Sequence, residues 1–286
     1  ALEVAATPLG RGKRIVVVGS GATAITLVPA LVNSGAGQVT MLQRSPSYIA
    51  TLPGVAAFAV QARRLLPAKP AYVVSRWKAI MQNMVQYQAA RRFPDMFKKT
   101  LRTMAERRLP EGFDIDKHFT PSYKPWDQRV CVAPDGDFFK AIRAGKADIV
   151  TDKIERFTKT GIRLASGEQL DADIIVTATG LNMRLLGGIK PTLNGQPIDL
   201  TSLMTYKGLM FSGIPNFAIT FGYTNASWTL KADLVSEFVC RVLNYMDANG
   251  FDRVEPQHPG SSVGELPFMD FSPGYFARSV HLLPKS

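Results

Sequence analysis

The sequence predicts an α/β fold organised around one nucleotide-binding unit, and three observations support this class. Residues 14–44 have the pattern of a strand, a glycine turn, a helix and a second strand. The same alternation resumes after residue 137, as in a Rossmann-type domain. Between the two stretches, residues 55–109 have a helical pattern throughout. We therefore predict a Rossmann-type domain that is interrupted by a helical insertion.

The first unit carries the clearest pattern in the chain. An apolar strand spans Arg14–Val18, a helix spans Thr23–Asn33, and a second strand spans Gln38–Gln43. The segment NSGAG after the helix favours a stop, because glycine readily adopts the left-handed conformation found at helix ends. Pro29 lies inside the predicted helix, and we expect a bend there because proline removes one backbone hydrogen bond.

The glycine turn between the first strand and the helix is a G-x-G-x-x-A motif, residues 19–24. Gly19 permits a tight turn, Gly21 lets the backbone approach a pyrophosphate, and Ala24 lets helix and strand pack closely. The helix start offers unpaired N–H groups and the positive end of its dipole to phosphates. The motif, in this context, predicts a dinucleotide site.

The end of the second strand favours NADP(H) over NAD(H). An NAD site usually has a carboxylate there, which binds the ribose 2′-hydroxyl. This chain has Gln43 and Arg44 at that position, with no acid beside them. An arginine can hold a 2′-phosphate with two hydrogen bonds, whereas a carboxylate would repel it. We predict that Arg44 binds the 2′-phosphate and that Ser45 assists.

The helical insertion carries nearly all of the net charge of +11. Residues 61–110 contain twelve lysines and arginines but only two acids, which leaves +10 in this segment. One apolar face recurs at helical spacing and consists of Val73, Trp77, Ile80, Met81, Met84 and Val85. Such helices can present a solvated face that attracts an anionic cofactor, or can contact an anionic membrane. Nucleic-acid binding is not expected, because no recognisable module is present.

The remaining chain shows shorter patterns. Residues 110–136 are rich in proline, aspartate and aromatics, and we expect a long ordered loop of the kind that often carries function. A helix at Phe138–Ala144, a strand at Asp148–Thr151 and a meander of short strands follow. Residues 181–286 hold further strand-like pieces, a helix from about Leu230 to Ala248 and a tail rich in proline and glycine.

Composition narrows the classes of function. Hydrophobic residues make up 46% of the chain, no apolar run is long enough to span a membrane, and no signal segment begins it. We therefore expect a cytoplasmic protein with a sizeable core. Cys131 and Cys240 are far apart and the histidines are scattered, so we expect two buried thiols and no metal site. The G-x-S-x-G match at residues 260–264 lacks the strand and helix of a nucleophile elbow.

Four segments occur in an order that resembles a known enzyme family. They are GSGATA, LQRSP, YKPWDQR and DADIIVTATG. Together they resemble class B flavoprotein monooxygenases, which include Baeyer–Villiger and flavin-containing monooxygenases. The segments LPEGFDIDKHFTP and FGYTNASWTLKADL are most similar to the ethionamide-activating subgroup. The resemblance covers about residues 11–280.

The resemblance implies an enzyme that uses NADPH, FAD and O₂. In this family NADPH reduces FAD, and a C4a-peroxyflavin then inserts oxygen into a ketone or oxygenates sulfur or nitrogen. The implied partners are O₂ and a small-molecule substrate, which is a ketone, a thioether or thioamide, or an amine. NADP⁺ stays bound during the reaction.

The resemblance also assigns residues. Arg129, at the end of YKPWDQR, matches the arginine that stabilises the peroxyflavin anion, a role that suits a permanent cation. Arg44 matches the 2′-phosphate ligand. The residues that match the pyrophosphate loop are Gly19, Ser20, Gly21, Ala22 and Thr23. The residues that match the linker leading back to the FAD domain are Ala178, Thr179 and Gly180. Those implied near flavin and substrate are Asn225, Ala226, Ser227 and Trp228.

Two departures from the family pattern bear on FAD. We find no second glycine motif after a strand and no F-x-G-x-x-x-H-x-x-x-W fingerprint. We therefore expect a C-terminal portion of a monooxygenase with an incomplete FAD site. In this scheme residues 11–53 and 119–180 form the NADP-binding domain and residues 54–118 the helical insertion. Residues 181–286 form the C-terminal part of the FAD domain.

Two other functions stay open. The chain could be an NADP(H)-binding protein without catalysis, or a basic membrane-surface or interaction module. If residues 61–110 contact a membrane, we expect a peripheral location at its inner face.

Overall fold

The computed structural model describes residues 10–223, 226–260, 263–269 and 274–286. It divides into two compact units, residues 1–180 and 181–286, which are described separately. The strands of the first unit are β1 Arg14–Val18, β2 Gln38–Gln43, β3 Ile49–Leu52, β4 Cys131–Pro134, β5 Ala147–Thr151, β6 Ile154–Phe157, β7 Gly161–Leu164, β8 Gln169–Asp171 and β9 Ile174–Thr177. Its helices are α1 Ala22–Asn33, α2 Ala57–Leu65, α3 Ala68–Arg92, α4 Pro94–Glu106, α5 Ile115–Phe119 and α6 Asp137–Arg143.

A four-stranded parallel sheet lies at the centre of the first unit, in the order β5-β2-β1-β9. Side chains of β1 alternate between its two faces. Ile15 and Val17 join one core cluster, and Val16 and Val18 join the other. A parallel strand covered on both faces needs apolar residues at every position, which explains the unbroken run IVVV. The predicted Rossmann-type α/β fold is confirmed.

Different layers cover the two faces of the sheet. On one face, α1 and α6 pack against it, and Ala24, Phe138 and Phe139 are fully buried there. On the other face lies the antiparallel meander β6-β7-β8, which contributes the fully buried Ile162 and Leu164. Helix α1 continues through the buried Pro29. This arrangement leaves the carboxyl ends of the parallel strands at one edge of the sheet.

Helices α2 to α5 connect β3 to β4, which pair in parallel with Ile49 opposite Cys131. Helix α4 and the residues after it reach the main core through Ala105 and Leu109. Helix α3 differs, because Ala71 and Ala90 are its buried residues among 25 positions. The predicted apolar face of this helix is therefore largely exposed.

The prediction of one long loop over residues 110–136 is wrong in two places. Helix α5 begins where the Asp114 side chain accepts a hydrogen bond from the Lys117 amide (3.0 Å), and it buries Ile115 and Phe119. Strand β4 then begins at Cys131. Elements of four or five residues are too short to show a period, so the turn-forming residues around them dominated the prediction.

The second unit consists of short elements and one long helix. Its strands are β10 Thr192–Leu193, β11 Gln196–Pro197, β12 Thr205–Tyr206 and β13 Met210–Phe211, paired as two antiparallel hairpins. Its helices are α7 Trp228–Asn249 and α8 Gly274–Ala277. Helix α7 ends at Gly250, which adopts the left-handed conformation (φ +69°) typical of a helix stop. None of the helices among the described residues is both long and apolar enough to cross a bilayer.

Candidate dinucleotide site

The glycine turn lies where three parallel strands end together. Val18 of β1 pairs with Leu42 of β2 and Thr177 of β9. Gly19 continues the ladder, donating its N–H to the Leu42 carbonyl (2.8 Å), and then turns with φ +131°. A Cβ atom at Gly19 would lie 2.3 Å from the Ala178 carbonyl oxygen. The turn therefore requires glycine at this position for both conformation and space.

Gly21 serves a different purpose. It is the N-cap residue of α1, and among the described residues no side chain caps the helix and no acid lies in its first turn. A Cβ atom at Gly21 would meet no described atom within 4 Å, so the space in front of the helix start is open. Unpaired N–H groups facing open space at the end of a parallel sheet suit a pyrophosphate. Ala22 and Thr23 are exposed on this first turn.

The predicted linker residues lie beside the same turn. Ala178 donates its N–H to the Val18 carbonyl (2.7 Å), and its own carbonyl approaches Gly19. Thr179 is exposed, and Gly180 has φ +97°, a left-handed conformation that redirects the chain at the end of the first unit. The structure therefore brings Ala178 to the glycine turn, as a neighbour that shapes it.

Gln43 and Arg44 have opposite environments. Gln43 shares a strand face with the buried Val39 and Met41, and its amide Nε2 donates to the Thr151 hydroxyl (2.8 Å) and the His118 carbonyl (2.9 Å). Gln43 is therefore a core residue. Arg44 is exposed at the carboxyl edge of the sheet, which is where a ligand of the ribose 2′-position is needed.

The nearest acid after the neighbouring strand is already engaged. Asp152 follows β5, and its carboxylate accepts hydrogen bonds from the amides of Lys153 and Ser166. Hydrogen bonding by Ser166 and Lys153 lowers the pKa of Asp152. The Asp152 carboxylate is therefore bound by backbone amides of its own loop and of the turn between β7 and β8.

Ser20 connects the glycine turn to the segment after β2. Its hydroxyl lies 2.8 Å from the Ser47 hydroxyl and 3.3 Å from the Ser45 carbonyl. Ser45 therefore takes part through its backbone. Ser47 also hydrogen-bonds Tyr123, and the Tyr48 hydroxyl donates to the Tyr123 carbonyl (2.7 Å). The sequence prediction missed Ser47, Tyr48 and Tyr123, although YKPWDQR contains Tyr123.

Arg129 lies close to this group. It is exposed, and it precedes β4 by two residues. Cys131 is buried, with its Sγ 3.9 Å from the Ser20 carbonyl. Burial raises the pKa of the Cys131 thiol to about 11, against a smaller opposing effect of the Arg129 charge. Cys131 is therefore a neutral thiol at physiological pH, and Arg129 supplies positive charge near the glycine turn.

The residues predicted in the second unit are less informative. Trp228 begins α7 and packs on Phe221, with ring centroids 5.0 Å apart, over Gly222, where a Cβ atom would lie 2.1 Å from the indole. Ser227 is the N-cap residue of α7. Asn225 lies outside the described residues, as do Ser261 and Ser262 of the G-x-S-x-G match. The expectation of two buried thiols is wrong for Cys240, which is exposed.

The described residues contain no cluster of histidine, cysteine and acidic side chains able to hold a metal ion. They also contain no second G-x-G-x-x-G/A turn after a strand. The dinucleotide site described above fits NADP(H).

Comparisons with known proteins agree on one class of enzyme. No family model matches the chain. The chain is 69% identical over 275 residues to the FAD-containing monooxygenase EthA of Mycolicibacterium smegmatis, and 59% identical over 273 residues to that of Mycobacterium tuberculosis strain H37Rv. It is 49% identical over 275 residues to the probable FAD-binding monooxygenase AlmA of Acinetobacter baylyi. Each match covers 96% of this chain but 55–56% of the relative.

Solved structures share the fold at low identity. An oxidized steroid monooxygenase bound to NADP matches with a TM-score of 0.64 and 20% identity, over 87% of this chain and 56% of that one. OTEMO in complex with FAD and NADP matches with a TM-score of 0.63 and 18% identity, over 87% and 54%. The resemblance predicted from the motifs is confirmed: over nearly its whole length this chain is similar to FAD-containing monooxygenases of the EthA type, and it spans about half the length of the curated relatives it matches.

Proposed function

We propose that this chain is the NADP(H)-binding part, with adjoining C-terminal residues, of an NADPH- and FAD-dependent monooxygenase. The observation that carries the proposal is the glycine turn closed against Ala178, beneath an uncapped helix start and beside Arg44. The EthA-type relatives are FAD-containing monooxygenases by name, and the chain is 59–69% identical to them. The substrate that we propose is a small ketone, a thioether or thioamide, or an amine.

Residues of the first unit would bind different parts of the nucleotide and of the reacting centre. The N–H groups at the start of α1 would hold the pyrophosphate, and Arg44 would hold the 2′-phosphate. Arg129 would place a permanent cation beside the reacting centre, where it stabilises negative charge that develops on oxygen. When bound, NADPH supplies the hydride that reduces the flavin. The runner-up function is NADP(H) binding without catalysis, because the described residues do not complete an FAD site.

Binding measurements test the nucleotide assignment. NADPH titrated into the purified chain should bind more tightly than NADH, and Arg44→Ala should weaken NADPH by about tenfold to a hundredfold, since a hydrogen bond to a charged group contributes about 1.5–3 kcal/mol. NADH affinity should stay unchanged. Arg143→Ala serves as the charge-matched control, because Arg143 is exposed at the end of α6, before the amino end of β5, whereas Arg44 follows the carboxyl end of β2. Equal effects of Arg44→Ala on both nucleotides would refute the assignment.

Flavin retention separates the two functions. FAD is added to the chain, excess is removed by gel filtration, and NADPH-dependent O₂ uptake is measured. Retained flavin with O₂ uptake supports the monooxygenase. A colourless protein that still binds NADPH supports the non-catalytic alternative for this chain.

We also propose a peripheral contact with an anionic membrane, because the insertion presents an apolar stripe to solvent. Val73, Trp77, Met81 and Met84 follow one face of α3 at helical spacing, and each is 44–61% exposed. Soluble proteins seldom expose a continuous apolar patch of this kind without an interaction partner. A tryptophan on such a face suits the interface between lipid head groups and acyl chains.

Cations border the stripe. Arg76 and Lys78 lie on either side of Trp77 in the helical repeat. The Arg76 guanidinium lies 6.0 Å from the ring centroid of Tyr72, and the Lys78 ammonium lies 4.9 Å from that of Phe58. Each cation near an anionic bilayer contributes about 1 kcal/mol of attraction. Residues 61–110 carry a net charge of +10, so the charge of this segment and its exposed apolar area both favour an anionic membrane.

Vesicle flotation tests the membrane proposal. The chain should float with vesicles in which about one third of the lipid is phosphatidylglycerol. It should remain in the bottom fraction with vesicles of phosphatidylcholine alone, or with anionic vesicles at high salt. Trp77→Ala should weaken binding severalfold, whereas Phe157→Ala, an equally exposed aromatic on β6, should not. Equal loss in both variants, or no binding to anionic vesicles, would remove the proposal. A concentration-dependent dimer in place of vesicle binding would assign the stripe to a second copy of the chain.

A further inference from the structure

A strained turn precedes Arg129. The Asp127 N–H donates to the Lys124 carbonyl (3.1 Å), with Pro125 second and Trp126 third in the turn. Trp126 has φ +72°. Proline second and a positive φ third are the features of a type II turn, in which glycine is the favoured third residue. A tryptophan there costs backbone energy, so contacts elsewhere must hold it in place.

Those contacts come from the end of α3. The Arg91 guanidinium donates to one carboxylate oxygen of Asp127 (2.6 Å), while the Lys124 N–H donates to the other (3.2 Å). The Tyr87 ring meets the Trp126 ring edge-on, with centroids 5.9 Å apart. Tyr87 and Arg91 are four residues apart, so they project from the same face of the helix. One carboxylate and one ring therefore join the turn to the insertion.

The turn lies between two points fixed on the sheet side. Before it, the Tyr123 carbonyl accepts the Tyr48 hydroxyl. After it, Cys131 begins β4 and contacts the glycine turn through Ser20. Arg129 lies between the turn and β4. The turn therefore fixes the backbone that leads into Arg129, and β4 fixes the backbone that follows it.

We propose that Tyr87 and Arg91 are positioning residues, which hold the Lys124–Asp127 turn and thereby fix Arg129 beside the dinucleotide. This inference rests on the proposed function in one respect, which is that Arg129 lies near the bound nucleotide. An isolated surface ion pair contributes little. Here the ion pair, the ring contact and the carboxylate-to-amide hydrogen bond all act on residues 124–127. Removing one of these contacts therefore loosens the segment that leads to Arg129.

A double-mutant cycle tests the coupling. NADP⁺ affinity is measured by calorimetry for the wild type, Arg91→Ala, Arg129→Ala and the double variant. Arg91→Ala should weaken NADP⁺ about fivefold, and the double variant should be no weaker than Arg129→Ala, because residues that act through one another are not additive. Arg91→Lys should recover part of the affinity. If the losses of NADP⁺ affinity in Arg91→Ala and Arg129→Ala add up in the double variant, the positioning role is refuted, even though the wild type binds NADP⁺ normally.

A matched ion pair and a second readout complete the test. Arg102 pairs with Asp116 and Glu106 in the same insertion and contacts the Thr120 hydroxyl (3.5 Å), four residues before the turn begins, so Arg102→Ala should be additive with Arg129→Ala. Hydrogen–deuterium exchange is then compared for the amides of residues 123–130. Arg91→Ala should speed their exchange about tenfold, and Arg102→Ala should not. This readout needs no nucleotide. A wild type that fails to bind NADP⁺ refutes the proposed function, whereas unchanged exchange in Arg91→Ala refutes the positioning role of Arg91.

Discussion

The parallel sheet and helix α3 contain similar proportions of apolar side chains but expose them very differently. All four valine and isoleucine side chains of β1 are buried, whereas α3 leaves Trp77 61% exposed. The sheet is covered on both faces by other parts of the same unit. Helix α3 packs against α2, where Lys78 lies over the Phe58 ring, and its end contacts the turn before Arg129 through Tyr87 and Arg91.

The difference teaches what each region is for. The sheet uses apolar area to fix the strand ends, and the strand ends place the glycine turn and Arg44. Helix α3 exposes its apolar area at the surface, and its end contacts the turn before Arg129. Stability and nucleotide binding should therefore depend on the sheet and its strand ends, and the proposed membrane contact should depend on α3.

The largest expected effect contrasts a residue of α6 that is buried against the sheet with a residue on the exposed face of α3. Phe139→Ala should lower the free energy of unfolding by about 3–5 kcal/mol, because Phe139 is fully buried and its removal leaves a cavity. Trp77→Ala should change it by less than about 0.5 kcal/mol, because that side chain is already exposed. Urea denaturation followed by far-UV circular dichroism measures both. A large loss in Trp77→Ala would mean that the apolar face of α3 is covered in the free chain.

A pair of glycine variants gives the next largest effect and sharpens the contrast between structure and function. Gly19→Ala should lower the free energy of unfolding by about 2–4 kcal/mol, because its Cβ atom would overlap the Ala178 carbonyl and its φ disfavours alanine. Gly21→Ala should change stability by less than about 1 kcal/mol and weaken NADPH binding, since its surroundings are open. Thermal unfolding and NADPH titration, measured on both variants, distinguish them. Similar destabilisation in the two would contradict the separate roles.

The parts that sequence alone could predict are those fixed by short-range patterns. The strand, glycine turn and helix of residues 14–33 follow from periodicity and from the backbone freedom of glycine. Arg44 follows from its position at a strand end. Even Gln43 carried a usable signal, because it shares a period-two face with Val39 and Met41, which predicts a buried side chain.

The parts that sequence could not predict depend on distant contacts. Strands β3 and β4 pair across an insertion of about eighty residues, and neither is long enough to show a period. The contact that explains Gly19 comes from Ala178, at the far end of the unit. The exposure of the α3 face was equally hidden, because a helical apolar stripe looks the same in sequence whether a core or a membrane covers it.

The smallest expected effect is the change of stability with pH that is due to His118. This side chain contacts Thr151, which in turn accepts a hydrogen bond from Gln43 at the end of β2. Burial lowers the pKa of His118, helped by the Lys117 charge and opposed by Asp114 and Asp148. Its Nδ1 lies 2.8 Å from the Thr151 hydroxyl, which already accepts a hydrogen bond from Gln43. That hydroxyl can therefore donate to a neutral His118, which is the form that burial favours.

The sign of the pH effect follows from this preference. Because the native state disfavours the protonated ring, the unfolded chain binds more protons as the pH falls below about 6.5, and stability declines there. Urea denaturation at pH 7.5, 6.5 and 5.5 should show a smaller decline for His118→Gln than for the wild type, whereas His281→Gln, on an exposed histidine of the second unit, should match the wild type. A steeper decline in His118→Gln would show that the native fold prefers the charged ring, and that the Thr151 hydroxyl accepts from it.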